Sequence, residues 1–240
     1  MAKGRSRPWR VGRALLLALL LPVVLALAAV LALRFLPPPT TAFMLEARLA
    51  ALAHGENFHI QYQWVPLEQI SPHAALAVIA SEDQQFPFHY GFDFNSIREA
   101  VRAHERGDRK LRGASTISQQ VAKNLFLWNG HSFVRKGLEA LLTLMIETAW
   151  PKERILETYL NIAQFGRGIY GVEAAARSYF HKDAAHLNSG EAALLAVVLP
   201  NPVLLRVDAP SRYVLTQRDW TLHQMANLGG PAYRNVIEPP

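Results

Sequence analysis

The longest apolar stretch of the chain lies near its N-terminus and predicts a membrane-spanning helix. Residues Ala14 to Leu33 read ALLLALLLPVVLALAAVLAL, without a charged or polar side chain. At about 1.5 Å per residue, a helix of this length crosses a hydrocarbon core of roughly 30 Å. Pro22 lies inside the run, where a membrane helix tolerates proline. The pattern predicts an uncleaved anchor with a kink near Pro22.

Positive charge is concentrated before this apolar run and predicts its orientation. The basic side chains there are Lys3, Arg5, Arg7, Arg10 and Arg13. By the positive-inside rule, the N-terminus stays cytoplasmic and the rest of the chain lies outside. A cleaved signal peptide would also begin with basic residues and an apolar run. The run here is longer than a usual signal region, and Arg34 with three nearby prolines follows instead of a small-residue cleavage site.

Apolar side chains recur at helical spacing through most of the remaining chain. The segment Pro72 to Ser81 opens with proline, which suits a first helical turn because its missing N–H would have no partner there. Further helices are predicted at 43–52, 95–103, 116–127, 133–150, 152–163, 171–179 and 189–199. Only residues 59–65 alternate like a strand. The pattern predicts one compact, mainly α domain of roughly 170 residues.

The formal net charge of +6 comes entirely from the N-terminal part of the chain. Six of the 25 basic residues lie at or before Arg34, where no acidic residue occurs, which leaves 19 basic against 19 acidic residues beyond it. The outer part is therefore neutral, and the charge does not indicate a nucleic-acid binder. The absence of cysteine excludes disulfides, thiolate metal sites and a cysteine nucleophile.

A pair of carboxylates stands where the alanine-rich helix ends. Glu82 and Asp83 open the segment EDQQFPFHYGFD. A carboxylate at a helix C-terminus meets the negative end of the macrodipole, which raises its affinity for a proton and suits a general base. The alternative is that both are solvated residues at a helix end.

A polar cluster, Gly113 to Lys123, precedes and begins another predicted helix. Thr116 and Gln119 fit a capping box, which would explain the polar residues by structure alone. A helix start also presents free N–H groups and a positive dipole, which favour phosphate. Lys123 lies one turn beyond Gln119 and Gln120 and adds a charge to the same face.

Arg135 and Glu139 are four residues apart on a predicted helix and therefore share one face. One interpretation is a surface ion pair, worth under about 1 kcal/mol. The functional interpretation lets Arg135 bind a phosphate while Glu139 orients basic groups or a sugar hydroxyl.

Several other patterns do not indicate a site. Gly166, Gly168 and Gly171 form G-x-G-x-x-G, but the preceding residues have helical periodicity, whereas a dinucleotide site requires a strand there. We interpret these glycines as a tight helix-to-helix turn near the site. The 9 histidines show no metal-ligand spacing. No S-x-x-K and K-T-G set of the penicillin-binding type occurs.

The motifs follow one another in a specific order. They are E-D-x-x-F-x-x-H-x-G-x-D from Glu82 to Asp93, G-A-S-T-I-S-Q-Q from Gly113 to Gln120, R-K-x-x-E from Arg135 to Glu139, L-E-T-Y-L-N from Leu156 to Asn161, and G-I-Y-G-V-E-A-A-A from Gly168 to Ala176. This series, within about residues 60 to 205, resembles glycosyltransferase family 51, the peptidoglycan glycosyltransferases, and most closely its monofunctional biosynthetic members. Gln164 and His181 depart from the residues common in relatives, Glu and Gly, and put only local loop contacts in doubt.

The resemblance implies a mainly α, lysozyme-like single catalytic domain preceded by one transmembrane helix. The expected segments are a cytoplasmic basic tail (1–13), the transmembrane helix (14–33), a linker and juxtamembrane segment (34–58) and the glycosyltransferase domain (59–230). The implied substrate is lipid II, a disaccharide-peptide joined through pyrophosphate to a prenyl chain, which is polymerised into β-1,4-linked strands. The implied location is the bacterial inner membrane, with the catalytic domain in the periplasm.

The resemblance also assigns roles to residues. Glu82 and Glu139 are the implied catalytic residues, with Glu82 as the base that takes the proton of the acceptor's 4-hydroxyl. Lys123 and Arg135 are expected to neutralise the departing pyrophosphate. The implied substrate-binding residues are Asp83, Phe86, His89, Ser115, Thr116, Gln119, Gln120, Lys123, Arg135 and Lys136. No metal ligand is implied, although a divalent cation, Mg²⁺ or Mn²⁺, stays open as a cofactor near Asp83.

Two other function classes remain open. A lysozyme or lytic transglycosylase, which cleaves the same polymer, shares the fold and a helix-end glutamate, but it needs no cations for a pyrophosphate. A non-catalytic membrane scaffold would have no need of the ordered motifs. The expected partners are lipid II, the growing glycan strand and the inner membrane, with other wall-synthesis or division proteins left open and no nucleic acid.

Overall fold

The computed structural model describes residues 7–105, 115–130 and 132–233, and its contacts divide the chain into two units, 1–37 and 38–240. The first unit contains one helix, α1 (Arg7–Leu33), with Pro22 inside it. Among the residues described here, no helix combines the length and the apolar character that crossing a membrane requires. The membrane-spanning segment at 14–33 therefore stays a prediction.

The second unit is mainly helical. Its helices are α2 (Ala42–Ala53), α3 (Pro72–Glu82), α4 (Phe94–Glu105), α5 (Ile117–Phe126), α6 (Phe133–Ala149), α7 (Lys152–Ile162), α8 (Val172–Phe180), α9 (Ser189–Val198) and α10 (Arg212–Asn227). Short 3-10 turns lie at Leu67–Gln69, Phe86–Phe88, Ala184–His186 and Gly230–Tyr233. The prediction of a mainly α domain is confirmed, and each predicted helix begins and ends within two residues of the observed one. Among the α-helices of the described residues, α10 alone was not predicted.

Helix α3 lies in the core. Its seven residues from 74 to 80 are all buried, because alanine and other apolar side chains cover every face. Ser71 caps its first turn and Pro72 occupies its first position. It packs against α9 and α10, while α5 packs against α6 and α7. The C-terminus of α3, and with it Glu82, is therefore held by the rigid centre of the domain.

A small three-stranded sheet connects the helices. It consists of β1 (Gln61–Tyr62), β2 (Gln164–Gly166) and β3 (Ile169–Tyr170) in the order β1-β3-β2, with β1 parallel and β2 antiparallel to β3. The predicted strand at 59–65 is thus only two residues long. The interpretation of the glycines at 166–171 as a helix-to-helix turn is wrong, because these residues form the β2–β3 hairpin. Gly168 has φ +76°, and a Cβ there would lie 2.6 Å from the His59 carbonyl oxygen.

The end of the predicted linker belongs to the folded domain. Helix α2 packs against α5, and the Glu46 carboxylate accepts a hydrogen bond from the Asn129 N–H at 2.8 Å. Pro38 lies upstream of α2, and its carbonyl accepts a hydrogen bond from the Tyr62 hydroxyl at 2.7 Å. Residues 38–58 are therefore part of the second unit and reach the region that carries the predicted site residues.

Candidate active site

Glu82 is the last residue of α3, as predicted, and its carboxylate faces α5. Its Oε2 accepts a hydrogen bond from Gln120 Nε2 at 2.8 Å. Burial raises the pKa of the Glu82 carboxyl above its ordinary value of 4.5, and Asp83 adds to the rise, while Gln120 and Lys123 oppose it. Burial, and not the helix dipole alone, therefore gives this carboxyl its affinity for a proton.

Asp83 occupies the start of α5, which the sequence predicted to be open to phosphate. Its carboxylate oxygens accept the Ile117 N–H at 3.0 Å and lie 3.0 Å from His89 Nε2. Ile117 is the first residue of α5, so Asp83 takes the place that an anion would take at this helix. Asp83 thus joins α3 to α5 and satisfies the Ile117 N–H, while a phosphate near this helix start stays a prediction.

The capping box at the start of α5 is confirmed. The Thr116 hydroxyl accepts the Gln119 N–H, and the Gln119 side chain accepts the Thr116 N–H in return. Both side chains are buried, and the Thr116 hydroxyl also donates to the Gly91 carbonyl at 2.7 Å. These two residues hold the helix start and the loop that faces it, and their expected contact with substrate stays a prediction.

The loop after Asp83 is fixed by residues that were expected to bind substrate. Phe86 is fully buried, and its ring contacts the edge of the His89 ring. Lys152 Nζ lies 4.7 Å from the centre of the Phe86 ring and donates to the His89 carbonyl at 2.6 Å. Phe86 and His89 therefore shape the loop, and their expected contact with substrate stays a prediction.

Lys152 and Glu147 were not predicted, although they support this loop. Lys152 donates to Glu147 Oε1 at 2.8 Å, and the same carboxylate oxygen accepts the Ser118 hydroxyl of α5. Lys152 is the first residue of α7, where a positive charge is unfavourable for the helix dipole. This unfavourable position was the one sign in the sequence that Lys152 has another role.

Gly91→Ala should destabilise the protein by opening this loop. Gly91 has φ +81°, and an added Cβ would lie 2.6 Å from Thr143 Cγ2. We expect a loss of roughly 1–3 kcal/mol from backbone strain, with the steric clash in addition. Gly55→Ala is the control, because Gly55 has φ +65° but no atom within 4 Å of the added Cβ. Equal losses in urea unfolding of the two variants would show that the loop at Gly91 is not tightly packed.

Two cations pair with one buried carboxylate on α6. Glu139 is 2 % exposed and accepts Arg135 Nη1 at 2.7 Å and Lys136 Nζ. Arg135 also donates through Nε to the Gly130 carbonyl at 2.7 Å. The pair is therefore buried, and the surface-pair alternative is wrong. Ser115, the remaining residue expected to bind substrate, lies 3.5 Å from Lys136 Nζ.

Lys123 of α5 interacts electrostatically with the Glu82 carboxylate and with this cation cluster. Desolvation lowers the pKa of its ammonium, and Arg135 and Lys136 lower it further, while Glu139 and Glu82 oppose the shift. Its Nζ lies 5.4 Å from the centre of the Phe43 ring, and it has no carboxylate partner within the part of the chain that is described. A partly desolvated ammonium in this position favours an incoming anion.

The Asp83 carboxylate, near which a divalent cation stays a prediction, already has partners within the protein. Both oxygens of that carboxylate are engaged by His89 and the Ile117 N–H. Across residues 7–105, 115–130 and 132–233, no three histidine, aspartate or glutamate side chains converge as metal ligands would.

Comparison with known proteins identifies the family. Residues 50–226 match the family described as transglycosylase. A protein from Yersinia pseudotuberculosis serotype IB is 49% identical over 232 residues, covering 96% of this chain and 95% of its own, and one from Escherichia coli O1:K1 is 57% identical over 198 residues, covering 82% of each. Both are named biosynthetic peptidoglycan transglycosylase. The family implied by the ordered motifs is thereby confirmed, and this chain belongs to the transglycosylase family.

Proposed function

We propose that this protein polymerises lipid II into β-1,4-linked glycan strands and releases the polyprenyl diphosphate carrier. The observation that carries the proposal is Lys123, whose ammonium interacts electrostatically both with Glu82 and with the Arg135–Glu139 pair. A proton acceptor and a cationic site for a leaving group thus lie on adjacent helices. The names of the relatives and the family match support the same chemistry.

Glu82 serves as the general base. Its carboxylate takes the proton of the acceptor sugar's 4-hydroxyl as that oxygen forms a bond to the anomeric carbon of the donor. The bond between the anomeric carbon and the pyrophosphate oxygen breaks, and its electron pair leaves with the diphosphate. Attack from the opposite face inverts the configuration and gives the β-1,4 linkage. A raised pKa brings the base closer to neutral pH, where proton transfer is most effective.

Lys123, Arg135 and Lys136 stabilise the charge that develops on the leaving diphosphate. Only one carboxylate, Glu139, pairs with cations in this cluster among the described residues, so positive charge is in excess. Cations held in place before the reaction lower the barrier without having to reorganise during it. Gln120 keeps the Glu82 carboxylate oriented toward the same region.

Glu139 acts in this proposal as a positioning residue. Its carboxylate is 2 % exposed and bonded to two cations, so it orients Arg135 and Lys136 and does not reach a sugar hydroxyl. Of the two interpretations of this residue made from the sequence, the structure favours the orientation of basic groups.

The cation cluster argues against the glycan-cleaving alternative. Cleavage of a glycosidic bond requires an acid at the leaving sugar oxygen and gives no diphosphate. A buried carboxylate with a raised pKa would suit either reaction, so the support for synthesis comes from the cluster. We further propose that the reaction proceeds without transpeptidation, because the sequence has no S-x-x-K and K-T-G set.

Carrier release measured against bond formation tests this function. Each new glycosidic bond should release one polyprenyl diphosphate, so the two amounts should rise in a ratio of about one. Release of the carrier without polymer would show hydrolysis, and polymer shortening without release of the carrier would show cleavage. Either result would overturn the proposal.

We also propose that the N-terminal segment anchors the domain at the bacterial inner membrane, with the N-terminus in the cytoplasm. The apolar run at 14–33 and the basic residues before it support this topology. An active site held near the bilayer would suit a substrate whose prenyl chain stays in the lipid.

The orientation is tested with reporters at each end of the chain. A reporter that is active only outside the cytoplasm should work after Pro240 and fail before Met1. A cytoplasmic reporter should show the reverse pattern. Activity of the cytoplasmic reporter after Pro240 would place the domain on the wrong side of the membrane for periplasmic lipid II.

A further inference from the structure

A chain of two hydrogen bonds leads from the core to the Glu82 carboxylate. The Tyr159 hydroxyl on α7 donates to Gln120 Oε1 at 3.0 Å. Gln120 Nε2 donates in turn to Glu82 Oε2 at 2.8 Å. Three helices, α7, α5 and α3, thus contribute one member each. Tyr159 is 1 % exposed, and its hydroxyl is therefore not available to a substrate.

The orientation of the Gln120 amide depends on the group at each of its ends. An amide presents an oxygen acceptor at one side and an NH₂ donor at the other, and a half-turn exchanges them. A phenol that donates to the oxygen selects the orientation in which the NH₂ group faces the carboxylate. Burial raises the pKa of Tyr159 well above 10, so its hydroxyl stays protonated through the working pH range.

We propose that Tyr159 is a positioning residue that fixes the Gln120 amide and thereby keeps Glu82 ionised and oriented for proton abstraction. This inference rests on the proposed function of Glu82 as the base. A hydrogen bond from Gln120 favours the charged form of the carboxylate and opposes the effect of burial.

Other groups near Glu82 come from several elements. Lys123 of α5 favours its charge and Asp83 opposes it. From α6, Arg135, Lys136 and Glu139 act on Lys123. All of these remain unchanged when only the Tyr159 hydroxyl is removed, so an effect of that change reports on the hydrogen-bond chain.

The test is the pH dependence of lipid II polymerisation by full-length Tyr159→Phe protein in detergent. A base must be ionised, so activity rises with pH through the pKa of Glu82. Without the phenol, the Gln120 amide can turn and the pKa of Glu82 rises further. The acidic limb of the kcat profile should move upward by about half to one pH unit. At neutral pH, kcat should fall roughly 3- to 10-fold, with little change in KM.

Tyr179→Phe is the matched control. This substitution also removes one phenol hydrogen bond, from Tyr179 to the Phe165 carbonyl at 3.1 Å. Tyr179 is not part of the hydrogen-bond chain that leads to Glu82. The Tyr179→Phe protein should lose a similar amount of stability and keep the wild-type pH profile. An unmoved acidic limb in folded Tyr159→Phe protein, or an equal shift in both variants, would overturn the proposal.

Gln120→Leu provides a second and independent test. It removes the link itself, so the acidic limb should move upward at least as far, and adding Tyr159→Phe should move it no further. If Tyr159→Phe does not fold, an unmoved acidic limb in Gln120→Leu still overturns the proposal.

The variant Glu82→Gln separates this inference from the proposed function. Ordinary polymerisation by Glu82→Gln refutes Glu82 as the base. If Glu82→Gln is inactive but the acidic limbs of Tyr159→Phe and Gln120→Leu do not move, only the role of Tyr159 is refuted.

Discussion

Glu82→Gln should abolish lipid II polymerisation while the protein becomes no less stable. An amide cannot take the proton of the acceptor hydroxyl, so the contribution of the general base, typically 10² to 10⁴-fold, is lost. The amide oxygen can still accept the Gln120 N–H that now bonds the carboxylate. The fold should therefore tolerate the change, and polymer formation and the melting temperature measure both effects.

The stability gain should depend on pH with a defined sign. The folded protein holds Glu82 with a pKa above 4.5, so ionisation destabilises the fold as pH rises from about 4.5 through the raised value. Glu82→Gln has no carboxyl at this position to ionise and therefore does not lose this stability. The melting temperature of Glu82→Gln should therefore exceed that of the wild type increasingly as pH rises through this range, with the helix dipole contributing roughly 0.3 to 1 kcal/mol.

Glu153→Gln is the matched control for both effects. Glu153 lies in the first turn of α7, where negative charge favours the helix dipole, so its neutralisation should lower stability slightly and leave activity unchanged. Ordinary activity of Glu82→Gln would return Glu82 to a structural role. A melting temperature that falls equally in both variants would contradict the electrostatic account of Glu82.

Lys123→Met should lower turnover by roughly 10² to 10³, the effect of removing one preorganised charge-stabilising group. The methionine keeps most of the apolar stem beside Phe43. Since desolvation lowers the pKa of Lys123 in the folded protein, the charged form destabilises the fold, and its removal should not lower the melting temperature. Single-turnover rates with lipid II measure the chemical effect.

Two comparisons distinguish this effect from a general loss of charge. Lys182→Met removes an ion pair to Glu191 at 2.8 Å and should lower stability slightly while keeping activity. Arg135→Ala should lower both activity and stability, because it leaves the buried Glu139 with one cation fewer. Near-normal turnover in Lys123→Met would contradict the assignment of this lysine to the leaving diphosphate.

Most helices could be predicted because their signals are local. Ser71 before Pro72, Ser132 before Phe133 and the Asn188 capping box all lie within one turn of the helix that they begin. Helix α10 was not predicted, because its buried residues, Val214, Thr221 and Met225, include a polar one and the apolar pattern is therefore weak. Strands β2 and β3 were not predicted, because two or three residues give no readable alternation.

The residue types of the site could be predicted, but their contacts could not. Glu82, Lys123 and Arg135 were predicted as charges of the site, and Lys123 interacts electrostatically with the other two. The role of Asp83 depends on Ile117, 34 residues away, and no local pattern reveals a pairing over that separation. Motif membership likewise does not separate a buried support such as Phe86 from a residue that faces the substrate.

The central claim is that this protein forms glycan strands and does not cleave them, with Glu82 as the base. The most direct measurement incubates the detergent-solubilised full chain with lipid II, and separately with finished glycan strands, and separates polymer from muropeptide fragments. The wild type should convert lipid II into polymer and leave finished strands intact, while Glu82→Gln should do neither. Fragments from finished strands, or polymer formed at the ordinary rate by Glu82→Gln, would contradict the account.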